Sequence, residues 1–134
     1  MGRGDIMFFN KKKKTLSEKE LKWNKMWNLW TEGKIEFPYA ELMTYQSEIN
    51  NGGHSQYFDN IENTGNLQKE MAELEQILPQ ALKANLLKAY KSYLALSENA
   101  DDEKAEEIIE KCDEVYFINE ELINQILEEY SEKM

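Results

Sequence analysis

The stretch that decides the fold is Glu48–Asn60, with the sequence EINNGGHSQYFDN. An apolar face leads into it, because Leu42, Tyr45 and Ile49 recur at the spacing of one side of a helix. The Asn-Gly-Gly sequence at 51–53 follows, and both residue types tolerate the left-handed backbone that ends a helix. The stretch therefore predicts a helix end, a tight corner and a new helix.

The residues at and after the corner predict its details. Gly52 or Gly53 is expected to have a positive φ, since glycine has no Cβ to clash there. Tyr57 and Phe58 begin a new apolar face, and Ser55 is a candidate N-cap acceptor for the second helix.

Helical patterns cover the rest of the chain from residue 15 onward. Ser17 and Glu20 form a capping box that predicts a helix over about 18–31, with Trp23, Trp27 and Trp30 on its core face. The other predicted helices run from Pro38 to about Asn50, over about 55–62, from an Asn66 cap to Leu78, over about 80–97, from a cap at Asn99 or Asp101 to about Ile118, and from an Asn119 cap to Tyr130. On the last three, inward-facing positions include Leu82, Leu86, Leu94, Ile109, Cys112, Tyr116, Leu122 and Leu127.

No segment alternates apolar and polar residues for long enough to predict a strand. The sequence therefore predicts an all-α fold with six or seven helices in one compact domain over residues 15–134. Residues 1–14, MGRGDIMFFNKKKK, lack periodicity and are expected to form a flexible basic tail.

Charge is unevenly distributed along the 134 residues, whose net charge is −10. Residues 1–34 hold nine Lys and Arg against four Asp and Glu, whereas Glu98–Glu132 holds fourteen acids against two lysines. A block this acidic repels nucleic acid and anionic membranes and attracts basic proteins. The single cysteine and the absence of a long apolar run predict a cytoplasmic protein without an internal disulfide.

The acidic block supplies the candidate partner-binding residues. Glu103, Glu107, Glu110 and Glu114 recur at helical spacing opposite an apolar face, which places them in one row. The complete candidate set is Glu103, Glu106, Glu107, Glu110, Asp113 and Glu114. A solvated helix face that keeps the protein soluble is the alternative interpretation of the same pattern.

The sequence offers no recognisable catalytic constellation, and we predict no cofactor or metal. Carboxylate-bridged metal sites in helical bundles need Glu-x-x-His on two helices, and this chain has one histidine. That residue, His54, is either a corner residue or a general base oriented by Glu48 or Asp59.

The corner also resembles the signature of a bacterial domain family of unknown general function, often called DNA-mimic-protein-like. The matching residues are Glu48, Asn51, Gly52, Gly53, Gln56, Tyr57, Phe58 and Asn60, and His54 stands where that family has an aromatic. A second, shorter match begins at Asp113. The resemblance implies a compact helical domain. It also implies DNA mimicry, since the best-described member presents carboxylates in place of phosphates and competes for DNA-binding proteins, including a transcription regulator.

Three functional hypotheses follow. The first is an acidic helical protein that binds a basic protein, such as a DNA-binding protein, without binding nucleic acid or membrane itself. The second is a small-ligand or enzymatic domain with a pocket at the Asn51–Asn60 corner, bordered by His54 and Gln56. The third is an immunity-type or structural protein that uses the tryptophan face, and that face also allows a homodimer.

Overall fold

The structure is a computed structural model that describes residues 15–134. Within that range it contains five helices and no strand: α1 (Glu18–Thr31), α2 (Tyr39–Thr64), α3 (Leu67–Ile77), α4 (Gln80–Glu98) and α5 (Glu103–Ser131). The all-α prediction is confirmed, and the predicted count of six or seven helices was too high. The predicted tail over 1–14 lies outside the described residues.

One pair of predicted helices merges at the glycine corner. Gly52 (φ −162°, ψ 17°) and Gly53 (φ 77°, ψ −175°) interrupt α2, and helical geometry resumes at once after them. The predicted positive φ is confirmed at Gly53. Ser55 is exposed, and the N–H of His54 at the start of the second half donates instead to the Asp113 carboxylate of α5 at 2.9 Å.

A second pair of predicted helices merges into α5, which runs through 29 residues. Its N-cap is Asp102, not Asn99 or Asp101, and its side chain accepts from the N–H of Ala105. Asn119 is no cap, because its side chain donates back to the carbonyl of Val115 at 2.9 Å. A restart at Asn119 would have turned Leu122 inward, but the continuous helix buries Ile123 in its place.

The core is shared by α2, α3, α4 and α5. Its largest fully buried side chains are aromatic, and Tyr45, Tyr57 and Tyr116 meet edge to face, with Phe58 beside Tyr57. Aromatic pairs at these separations add a favourable electrostatic contact to their burial. The predicted faces with Leu82, Leu86, Ile109, Cys112 and Leu127 are buried, whereas Leu94 is 43% exposed.

The helix ends confirm several local predictions. The capping box of α1 is present, with Ser17 and Glu20 exchanging bonds of 2.8 and 3.0 Å. Asn66 caps α3 through the N–H of Lys69, and Pro79 separates α3 from α4. Across the described residues, every helix is too short or too polar to cross a membrane.

The tryptophans of α1 flank the core without entering it fully. Trp23, Trp27 and Trp30 are half-buried and stack edge to face, while Met26 is the fully buried residue of that helix. The indole N–H of Trp30 donates to Thr44 at 3.1 Å. The face was predicted correctly, although Met26, not an indole, lies deepest.

Candidate functional site

The outer face of α5 carries a row of exposed carboxylates, which we call the acidic row: Glu103, Glu107, Glu110 and Glu114. All four are exposed, as is the neighbouring Glu106, whereas the opposite side of the helix is buried in the core. Each row member is a helical neighbour of the next, with Cβ atoms about 5–6 Å apart. The like charges therefore repel one another along the row.

No carboxylate of the acidic row has a cation within 4.0 Å among residues 15–134. The ion pairs within that range are Lys34–Glu32 and His54–Asp113, and neither involves the row. Lys104 and Lys111, the two lysines of α5, line grooves on the side of the helix that faces α4, and Glu107 of the row lines the second groove together with Lys111. The row thus faces solvent as a negative strip with positive charge on one flank.

Asp113 differs from the other candidate partner-binding residues. Its side chain is 29% exposed and reaches toward α2, where one oxygen accepts from both the N–H and the Nδ1 of His54, at 2.9 and 2.7 Å. A helix N-terminus favours a negative charge, so this carboxylate takes the place of an N-cap for the second half of α2. We therefore assign Asp113 to the corner.

His54 continues the chain of hydrogen bonds into the core. Its Nε2 lies 2.6 Å from the hydroxyl of Tyr45, and both residues are fully buried. Burial raises the pKa of Tyr45 well above its usual value, so the phenol keeps its proton. With Nδ1–H donating to Asp113, Nε2 is the acceptor for the Tyr45 hydroxyl.

This Tyr45–His54–Asp113 chain resembles a catalytic relay in connectivity but has no route to a substrate. His54 has no exposed surface, so it borders no open pocket at the corner. The carboxylates expected to orient it are engaged elsewhere, since Glu48 binds Gln56 and Asp59 accepts from Tyr93 at 2.8 Å. The chain fastens α2 to α5.

The motif amides form a second cluster, which spans the glycine break. Glu48, before the break, accepts from Gln56 and Asn60 after it, both at 2.9 Å. A Cβ on Gly52 would overlap the Gln56 side chain, so this glycine lets the amide lie across the corner. Of the two interpretations of these amides, the geometry favours hydrogen bonding within the turn over presentation to a ligand.

Two open depressions lie away from the corner. One, of about 340 Å³, lies between α1 and the end of α5, where Trp23, Asn24 and Glu128 contribute to its lining. The other, of about 360 Å³, lies between α4 and α5 and is lined in part by Lys88, Lys91 and Lys104. Neither contains a residue of the corner motif.

Sequence reasoning missed a polar junction between α2 and α5 centred on Glu120. Its carboxylate accepts from Tyr116, Asn50 and Gln46, and Gln46 also donates to Asn124 at 2.8 Å. The residues of α2 lie 70 to 78 positions from their partners on α5, and no spacing in the sequence connects the two sets. A buried amide at Gln46, between the apolar Tyr45 and Ile49, was the one local signal.

Glu41 of α2 and Glu70 of α3 are partly buried acids without full hydrogen bonding. Each has one buried carboxylate oxygen without a hydrogen-bond partner, as does the hydroxyl of the fully buried Tyr57. Burial is the main cause that raises the pKa of both carboxyls, and nearby negative charges, Glu73 among them, raise them further. These two side chains destabilise the folded state when both are ionised.

These features define the class of protein: an acidic all-α domain whose second helix is broken and re-fastened at an Asn-Gly-Gly corner. The chain belongs to the DMP19-like protein family, whose model matches residues 36–134, and the family takes its name from DNA mimic protein 19. The match covers α2 to α5, including the corner and the acidic row, and α1 with its tryptophans lies before it. No curated protein and no solved structure matches the chain.

Proposed function

We propose that this protein is an acidic binding protein that uses the outer face of α5 to occupy the nucleic-acid-binding site, or another basic site, of a partner protein. The observation that carries the proposal is the acidic row, exposed and without a cation within 4.0 Å among residues 15–134. Membership of a family named after a DNA mimic supports the same function.

The density of charge supports mimicry of a nucleic-acid strand. Five exposed carboxylates, the acidic row and Glu106, span about 16 Å of helix axis, since each residue rises about 1.5 Å. That is one charge per roughly 3–4 Å, close to the value of about 3.4 Å for one strand of DNA. A basic groove shaped for phosphates therefore meets a similar number of negative charges along its length.

The rigidity of the face supports useful affinity. The carboxylates stand on a helix whose other side is packed in the core, so little backbone order is lost on binding. Each exposed ion pair contributes about 0.2–1 kcal/mol, so several must form together. Binding of this kind weakens with salt, because charges are screened beyond about 10 Å at 0.1 M.

The proposal is tested by neutralising the acidic row. Replacing Glu103, Glu107, Glu110 and Glu114 with Gln keeps the shape and helix propensity of the side chains and removes four charges. The matched control replaces four exposed glutamates elsewhere with Gln, namely Glu18, Glu32, Glu36 and Glu98. Both variants have the same net charge, so a difference between them reports the location of the charges.

The measurement is capture of DNA-binding proteins from a bacterial lysate on immobilised protein, followed by displacement of a labelled DNA duplex from each identified partner. We expect the row variant to bind at least tenfold more weakly and to lose most of its salt dependence, and the control to behave as the original protein. Equal weakening of both variants would mean that net charge alone matters. Unchanged binding by the folded row variant would refute the site.

A further inference from the structure

Two exposed apolar side chains follow the acidic row along α5. The members of the row recur at steps of four, three and four residues, and the helical neighbours three and four residues beyond Glu114 are positions 117 and 118. Phe117 and Ile118 occupy them, at 47% and 79% exposure, and the exposed Glu121 follows on the same side of the helix as the row. Ile118 is a helical neighbour of both Glu114 and Glu121, so carboxylates stand on either side of it.

The apolar side chains cluster in one segment of the helix. Val115 and Leu122 are also partly exposed, so four large apolar residues of α5 reach solvent within eight positions. Val115, Ile118 and Leu122 share one side of the helix at the i, i+3, i+7 spacing. Phe117 lies on the other side of the line that joins Glu114 and Glu121. We call Val115, Phe117, Ile118 and Leu122 the apolar step.

We propose that the apolar step is the specificity element of the surface, and that the partner is a protein that places an apolar side chain against Ile118 between lysines or arginines. This inference rests on the proposed function, because it divides the same surface into a charged part and an apolar part. Charge alone would bind any basic polymer, whereas an apolar contact between Glu114 and Glu121, beside the acidic row, selects a partner of matching shape. Binding hot spots are of this kind, with a central apolar contact surrounded by polar ones.

Charge complementarity argues for a foreign basic partner over a second copy of this chain. Two copies meeting through Ile118 would bring Glu114 and Glu121 of each close to the same residues of the other, in a protein with a net charge of −10. Like charges placed together across an interface disfavour the contact. A partner with basic side chains around an apolar one gains from both parts of the surface.

The test compares two apolar-to-polar substitutions of exposed residues. Ile118→Ser removes the centre of the apolar step, and its exposure means that the core is not disturbed. Leu94→Ser is the matched control, because Leu94 is also exposed but lies on α4, away from the acidic row. Circular dichroism and thermal melting establish that both variants fold.

Two probes separate the charged part from the apolar part. The first is an oligolysine peptide, which can bind through charge alone. The second is the set of proteins that the original chain retains from a bacterial lysate at about 0.5 M salt. Charges are screened beyond a few ångströms at that concentration. Each retained protein is identified and then titrated in purified form.

We expect Ile118→Ser to bind oligolysine as the original protein does, and to bind the retained proteins roughly ten- to hundredfold more weakly. Leu94→Ser should match the original chain with both probes. Retention of the lysate proteins by Ile118→Ser, together with their loss by the four-Gln row variant, would overturn the apolar step and leave the proposed function standing. Retention by both variants would overturn both.

Two further outcomes overturn the inference. A lysate that yields no protein at about 0.5 M salt would mean that no partner uses an apolar contact, since such a contact should survive screening. Sedimentation showing a dimer of the original chain that Ile118→Ser dissociates would assign the apolar step to self-association.

Discussion

Asp113 of α5 holds His54 of α2 through two hydrogen bonds to a single carboxylate oxygen, one from the backbone N–H and one from the ring. The contact joins residues 59 positions apart and lies directly after the Gly53 break. The carboxylate supplies what the broken helix lacks, namely an acceptor at the start of its second half. The glycine corner and the longest helix are therefore one structural unit.

Replacing Asp113 with Ala should lower the free energy of unfolding by about 2–3 kcal/mol, because hydrogen bonds to a charged group are lost and the buried His54 ring loses a partner. Urea denaturation measures the change. Glu114→Ala, the next residue on the exposed face, is the control and should change stability by no more than about 0.5 kcal/mol. Equal effects would show that Asp113 contributes only charge.

Replacing Gly53 with Ala should lower the free energy of unfolding by about 2 kcal/mol or more. Its φ of 77° with ψ of −175° lies in a region that is almost restricted to glycine, and an added Cβ would lie 2.5 Å from Oδ2 of Asp113. Gly33→Ala is the control, because Gly33 also has a positive φ (72°) but its Cβ would meet nothing within 4 Å. It should destabilise by about 1 kcal/mol, and a loss as large as that of Gly53→Ala would contradict the steric part of the argument.

Two buried tyrosines should respond in opposite ways to loss of the hydroxyl. Tyr45→Phe leaves Nε2 of His54 without its partner and should destabilise by about 1–2 kcal/mol. Tyr57→Phe removes a buried hydroxyl that has no partner, so it should be neutral or stabilising. Thermal melting of both variants decides the point, and a larger loss for Tyr57→Phe would show that its hydroxyl makes a contact that the geometry does not reveal.

Replacing Glu70 with Gln should stabilise the protein at pH 7. Burial raises the pKa of Glu70 in the folded state, so the folded protein binds a proton more readily than the unfolded chain does, and stability falls as the pH rises through that range. The amide carries no charge, so it removes the repulsion from Glu41 and Glu73. The gain should shrink as the pH falls toward 4, because protonation then removes most of the carboxyl's charge in both states.

Melting temperatures at pH 4 and pH 7 test this expectation, with Glu75→Gln on the same helix as the control. A gain of the same size at both pH values would mean that ionisation of Glu70 is not its cause.

Short-range signals predicted much of the fold. The Ser17–Glu20 box, the Asn66 cap and the positive φ of Gly53 each depend on residues within a few positions, and each is present. The acidic row was predicted by periodicity alone, because a helix repeats every 3.6 residues wherever it lies. The predicted helix boundaries were less accurate. Asn119 is a residue type that often caps helices, but it lies within the continuous helix α5.

The long-range contacts could not be predicted from spacing. Asp113 has the same residue type and periodicity as its acidic neighbours, and only the approach of α2 distinguishes it. The carboxylate that orients His54 was expected within six residues of it and lies on another helix. Local patterns determine which side of a helix is buried, but the packing of helices determines which polar groups meet.

The uninterrupted course of α5 has a consequence for how such a protein would be controlled. Its inner side is anchored by Ile109, Tyr116 and Leu127, so the helix cannot unwind locally without exposing the core. Among residues 15–134, the outer surface of α5 therefore keeps its shape for as long as the molecule is folded. Under the proposed function, the effect of the protein on a partner would therefore follow the ratio of their concentrations, and its synthesis and degradation would regulate that effect.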